Sequence, residues 1–206
     1  MMEPLGNYLK ASHKITIVDL PGFGLSNEPL YAYSVYDYVE LLHDLFKELE
    51  IKKPILVGHS FGGRLSIIYA SKYETNKIIL FGSPCVRHVY KSKKQNILKT
   101  LKKVKILTPL ANIMKKYTGS VDYRNASPIM KEVLVKTVNE DLSECAKKIK
   151  VPALLIWGDN DTAVPLNEAH ELDDLLIDSK LIILPGTHYC YLENLNKVIE
   201  IINDFI

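Results

Sequence analysis

The stretch Pro54-Ile55-Leu56-Val57-Gly58-His59-Ser60-Phe61-Gly62-Gly63 limits what this chain can fold into more than any other. The short apolar run Ile55 to Val57 reads as a buried parallel strand, and a helix-like segment follows from Arg64 to about Tyr73. Strand, Gly-x-Ser-x-Gly and helix in that order describe a nucleophile elbow. Such a turn pushes its serine into a sparsely populated backbone region. Small neighbours, here Gly58 and Gly62, are then needed where the helix doubles back. The Ser60 hydroxyl is expected at the C-terminal end of its strand, where the Phe61 N–H and the helix dipole can stabilise an oxyanion. A glycine-rich turn with an idle serine would carry the same letters, so the rest of the chain must decide.

Strand and helix signals alternate on both sides of the elbow. Lys14 to Leu20 reads as a strand that ends at Pro21-Gly22-Phe23-Gly24. Ser34 with Asp37 resembles a capping box, and Val35, Tyr38, Val39, Leu42, Leu45, Phe46 and Leu49 recur at helical steps behind it. Lys77 to Phe81 is another strand, stopped by Gly82-Ser83-Pro84. Beyond it the strand rhythm disappears, and Ile97 to Leu107, Ala111 to Tyr117 and Ile129 to Ala146 read as helices. Strands resume at Val151 to Trp157 and Lys180 to Leu184, with a helix over Leu166 to Leu176 between them. The last helix carries Leu195, Val198, Ile199, Ile202 and Phe205 on its apolar face. Apolar strands separated by helices imply a mostly parallel sheet covered on both faces, an α/β fold with its ligand at the carboxyl ends of the strands.

Charge divides the chain. Cys85 to Lys150 holds sixteen Lys or Arg against five Asp or Glu, leaving ten against nineteen elsewhere. A basic helical middle is thus inserted in an acidic frame, which predicts a core of residues 1–84 and 151–206 and a cap, or lid, over 85–150. The basic cap can act as a mobile roof that draws in anionic substrates or a membrane surface, or simply pack as a solvated helical face. No apolar run approaches the ~20 residues of a membrane helix, and Met1 to Gly6 lacks the features of a signal peptide. Cys85, Cys145 and Cys190 are widely spaced and odd in number, so a reducing compartment, the cytoplasm by default, is expected and the thiols read as inert. Phosphate loops and metal-ligand clusters are absent from the sequence, so neither metal nor cofactor is expected. Basic charge without a reading motif gives no ground for a nucleic-acid partner.

Ser60, Asp161 and His188 each follow a predicted strand, so they converge on one edge of the sheet in the order Ser, Asp, His. With them stand Asp19-Leu20-Pro21-Gly22-Phe23-Gly24-Leu25-Ser26, Trp157-Gly158-Asp159-Asn160-Asp161 running on to Pro165, and Gly186-Thr187-His188. On these motifs the chain resembles the α/β-hydrolase fold superfamily over nearly its whole length, most weakly in the basic middle. The resemblance implies Ser60 as nucleophile, His188 as general base, Asp161 as orienting acid and the Phe61 N–H as an oxyanion donor. Asp159 is the rival acid but reads as a turn residue. His59 reads as elbow packing, and His13, His43, His88 and His170 as surface or packing histidines. Asp19 is expected to hydrogen-bond its own loop. A serine nucleophile argues against the related dehalogenases and epoxide hydrolases, which use aspartate there.

The resemblance also implies a second oxyanion donor on a His-Gly loop after an earlier strand, but the chain has no His-Gly dipeptide. That strand would lie between Lys14–Leu20 and the elbow strand. Either the chain is an N-terminally shortened hydrolase, or the sheet closes around a gap with an incomplete oxyanion hole. A bare strand edge at such a gap could drive association. The expected activity is cleavage of a carboxylic ester or related acyl compound, hydrophobic or anionic, through a Ser60 acyl-enzyme. The alternatives are carbon–carbon bond hydrolysis with the same triad and a catalytically weak relative that binds a small ligand or partner.

Overall fold

The computed structural model describes residues 1–88, 123 and 125–206. Four parallel strands form one sheet in the order β1-β2-β3-β4: β1 Ile55–His59, β2 Lys77–Phe81, β3 Ala153–Gly158 and β4 Ser179–Leu184. The register pairs Val57 with Ile79, Leu80 with Leu155, and Leu155 with Leu181. Helices α1 Glu3–Leu9, α2 Val35–Glu48 and α3 Phe61–Lys72 precede or follow the first strand. Next come α4 Pro128–Asn139, α5 Ser143–Ala146, α6 Leu166–Leu175, α7 Cys190–Glu193 and α8 Leu195–Phe205. The helices read over Ile97 to Leu107 and Ala111 to Tyr117 lie outside the described residues.

Alternation along the strands splits the core between the two faces. Ile78, Leu80, Ala153, Leu155 and Trp157 point to one side, under Val39 of α2 and Leu65 and Ile68 of α3. Ile79, Phe81, Leu154 and Ile156 point to the other, under Leu5 and Leu9 of α1 and Val198 and Ile202 of α8. Central strands buried on both faces explain why the sequence showed continuous apolar runs rather than alternation. The capping box forms: Ser34 Oγ accepts from Asp37 N, and Asp37 Oδ2 accepts from Ser34 N. Helix α1 carries no periodic signal of its own; Pro4 in its first turn suits a helix start, and two leucines anchor it.

Two expectations change. Lys14–Leu20 is not a strand, and Ile17 is half exposed. An apolar β-branched run becomes a strand only when a neighbour stands about 4.8 Å away to share its ladder. Here β1 is the edge of the described sheet, and Ile15 and Ile17 pack on Gly6 of α1 instead. The helix read over Ile129–Ala146 is two helices, α4 and α5, parted at Glu140 in extended conformation. There the Glu140 carbonyl turns to the Arg64 guanidinium and the Leu142 N–H to the Cys85 carbonyl. The last helix forms where its apolar face predicts it, as α8 with Val198, Ile199 and Ile202 buried, and the short α7 stands ahead of it.

Candidate active site

Ser60 stands between β1 and α3 at φ 50° and ψ −108°. A non-glycine residue in that region is strained and persists only where the surroundings over-determine it. The surroundings here are backbone. The Ser60 N–H donates to the Phe81 carbonyl at 3.0 Å, and the Ser60 carbonyl accepts from Gly63 N and Arg64 N. Gly58 is needed for closeness: a Cβ there would lie 2.5 Å from the Gly62 carbonyl carbon. Gly62 differs from expectation, since a Cβ on it would meet nothing within 4 Å. The tight second position is Gly63, which abuts Ser83. Phe61 opens α3, whose first N–H groups have no intrahelical acceptor. Its ring stacks on Phe23 at 5.0 Å and meets the Tyr38 ring edge-on at 5.2 Å, so the Pro21–Gly24 loop packs on the elbow.

Asp161 and His188 arrive from the ends of β3 and β4. The Trp157 indole N–H donates to the Val164 carbonyl at 2.8 Å and ties down the loop that carries Asp161. Asp161 Oδ1 accepts from Ala163 N (2.9 Å) and Val164 N (2.8 Å), which leaves Oδ2 for His188 Nδ1 at 2.7 Å. The carboxylate is fully buried and the imidazole 13% exposed. With Nδ1 bonded to a carboxylate, the ring carries its proton there and presents a bare Nε2. Asp159 turns elsewhere: its Oδ1 accepts from Gly186 N and Asn160 Nδ2. Among the described residues no hydrogen bond joins the Ser60 hydroxyl to His188, a distance that tightens in many hydrolases only around substrate.

Several residues around this centre have little sequence signal. Gly82, at φ 47° on the end of β2, leaves room for the pair, because a Cβ there would lie 2.8 Å from His188 Nδ1 and 3.1 Å from Asp161 Oδ2. Its place at the carboxyl end of a strand between the Ser60 and Asp161 strands was the available clue. Arg64, 4% exposed, donates to the Pro84 carbonyl (3.1 Å) and the Glu140 carbonyl (2.6 Å), and burial pulls its pKa down. One side chain on the elbow helix thus bonds the backbone just before the basic middle segment, at Pro84, and within it, at Glu140. The His59 ring, 9% exposed, lies 4.5 Å from the His188 ring and is flanked by Tyr189 and Tyr191.

The other sequence candidates lie apart from the centre. His43 stacks on Tyr73, His88 bonds Glu171, His13 meets Ser12, and His170 is exposed. Asp19 accepts from Leu25 N within its own loop. Burial raises Cys85 and Cys190 to about 12, so both stay thiols at neutral pH. A cleft of about 610 Å³ lined by Ile17, Val18, Leu45 and Leu49 contains none of the centre's residues. Among the described residues, no group of three or more His, Cys, Asp or Glu is placed to hold a metal ion. No helix among them is long and apolar enough to cross a membrane.

His59 is pushed down to about 4, first by burial and then by the neighbouring His188. It therefore folds neutral and binds its proton more weakly folded than unfolded. Stability is complete above the ordinary value of about 6.5 and drains away as pH falls to about 4. That window is worth on the order of 3 kcal/mol. Urea midpoints measured from pH 7 to pH 4 should fall more steeply for the wild type than for His59→Gln, which has no such proton to take up.

Comparison with known proteins agrees with this architecture. The family model described as alpha/beta hydrolase fold matches residues 2–101. The chain is 28% identical to the uncharacterized hydrolase YugF of Bacillus subtilis (strain 168), covering 96% of this chain and 82% of that protein. It is 26% identical to the pimeloyl-[acyl-carrier protein] methyl ester esterase of Wigglesworthia glossinidia brevipalpis, covering 98% and 85%. Among solved structures it is similar to the esterase EaEST of Exiguobacterium antarcticum, with a TM-score of 0.75, 20% identity, and 99% and 85% covered. With a parallel sheet, a strained serine between strand and helix, and these likenesses together, the chain has the α/β-hydrolase fold.

Proposed function

We propose that this chain is a serine hydrolase that cleaves a carboxylic ester or related acyl compound through an acyl-enzyme on Ser60. The observation that carries the reading is the bond from His188 Nδ1 to a buried Asp161 carboxylate, at the same strand ends as the strained Ser60. His188 Nε2 takes the Ser60 proton as Oγ adds to the substrate carbonyl, and the imidazolium is stabilised by Asp161. The Phe61 N–H and the first turn of α3 stabilise the oxyanion. The C–O bond then breaks, His188 returns its proton to the leaving alcohol, and a water deprotonated by His188 releases the acid and frees Ser60. The likeness to a methyl ester esterase, 26% identical over 98% of this chain, supports an ester. Residues 85–150 are read as a cap insertion, and Arg64 donates to the Pro84 carbonyl just before it and to the Glu140 carbonyl within it.

The test is a fluorophosphonate adduct located by peptide mass spectrometry, alongside hydrolysis of a p-nitrophenyl ester. One adduct per chain on Ser60 together with ester turnover is the expected result. An adduct without ester turnover would move the reading toward carbon–carbon bond hydrolysis. No adduct on Ser60 would sink it in favour of a binding protein.

A further inference from the structure

We propose that His59 is a positioning residue for the base: its Nε2–H holds the His188 main chain at the distance from Ser60 that proton transfer needs. The inference rests on the serine-hydrolase reading and adds a part that neither the elbow motif nor the Ser, Asp, His order contains. His59 Nε2 lies 2.9 Å from the His188 carbonyl oxygen. A carbonyl only accepts, so Nε2 must carry the proton, which fixes the tautomer of this neutral ring.

The geometry gives that bond a specific task. The loop before His188 is pinned by other groups, with Gly186 N on Asp159 Oδ1 and Thr187 N on Glu193 Oε2. At His188 itself Asp161 sets the ring's rotation, but the bond to the main chain comes, among the described residues, from His59. His59 is the last residue of β1 and is covalently joined to Ser60. Nucleophile and base, separated by more than a hundred residues of chain, are thereby linked through one peptide bond, one imidazole and one hydrogen bond. The flanking Tyr189 and Tyr191 rings, 5.2 and 5.0 Å away, confine the His59 ring laterally. A displacement of about 1 Å at a reacting group can lower a rate 10²-fold. The ring is buried 4.5 Å from the His188 ring, so the effect should fall on the chemical step.

The experiment compares His59→Gln with His59→Met, two side chains of similar length of which only the amide can donate. The readout is phosphonylation of Ser60 by a fluorophosphonate, resolved into a limiting rate and a half-saturating concentration. The Met variant should lose about 10- to 100-fold in limiting rate with half-saturation unchanged. The Gln variant should stay within about three-fold of the wild type, as expected where one neutral donor replaces another. If Met does not fold, His59→Phe, which keeps ring contact with Tyr191 and lacks a donor, takes its place. Equal rates for the donor and non-donor variants, whether both normal or both impaired, overturn the inference while the Ser60 reading stands. Absence of Ser60 labelling in the wild type overturns both.

Discussion

Ser60→Ala should lower p-nitrophenyl ester turnover by about 10⁶-fold while leaving the fold intact. On the proposed serine-hydrolase reading the loss is large because nucleophile, base and acid act as one unit, and without Oγ neither proton transfer nor acyl transfer can begin. What survives is whatever binding and oxyanion donors give to attack by water. The fold should not suffer, because alanine keeps the Cβ already accommodated at φ 50°, and the Ser60 hydroxyl has no hydrogen bond among the described residues to forfeit. Turnover, urea midpoint and fluorophosphonate labelling should be measured on the same preparation. Residual turnover above a few per cent with labelling abolished would place the chemistry on another residue.

Asp161→Asn should lower turnover by about 10⁴-fold, and the reason lies in two backbone donors. Ala163 N and Val164 N both point at Oδ1, so an asparagine must set its carbonyl oxygen there and its amide nitrogen toward His188. A donor then faces Nδ1 where an acceptor stood at 2.7 Å. Nδ1 must become the bare nitrogen, the proton moves to Nε2, and the atom meant to take the Ser60 proton is already occupied. Asp159→Asn is the matched control, since its carbonyl can still accept from Gly186 N. It should stay within a few-fold of the wild type. An equal loss at both positions would mean that loop integrity, rather than the tautomer, explains the effect.

How much of this was legible beforehand depended on how local the cause is. The elbow strand, its glycine at 58 and the helix after Ser60 are decided within about ten residues, as are the capping box at Ser34 and the Trp157–Val164 loop. Asp161 could be ranked above Asp159 on motif position, and their hydrogen bonds now differ in the same sense. Gly62 looked sterically required and is not, because the close approach is made by its carbonyl carbon against Gly58 and by Gly63 against Ser83. Glu140 sits inside an unbroken helical pattern, yet the helix parts there for the sake of an arginine 76 positions earlier.

By itself, then, the chain's order of residues determined the parallel α/β arrangement, the strand-to-helix turn at Ser60 and the Ser, Asp, His succession along three strand ends. Periodicity, turn chemistry and the strain of one serine are local properties, written in neighbouring letters. Tertiary structure decided whatever needed a partner from far along the chain. Lys14–Leu20 has strand composition but, among the described residues, no neighbour to share its backbone bonds, so it packs on α1 without a ladder. Gly82 matters because two distant side chains meet beside it, and Arg64 because two distant carbonyls converge on it. His59 passes from packing residue to a hydrogen-bond partner of His188 because folding carries the His188 carbonyl to within 2.9 Å of its ring. A hydrogen bond is a relation between two positions in space, and a one-dimensional pattern states only one of them.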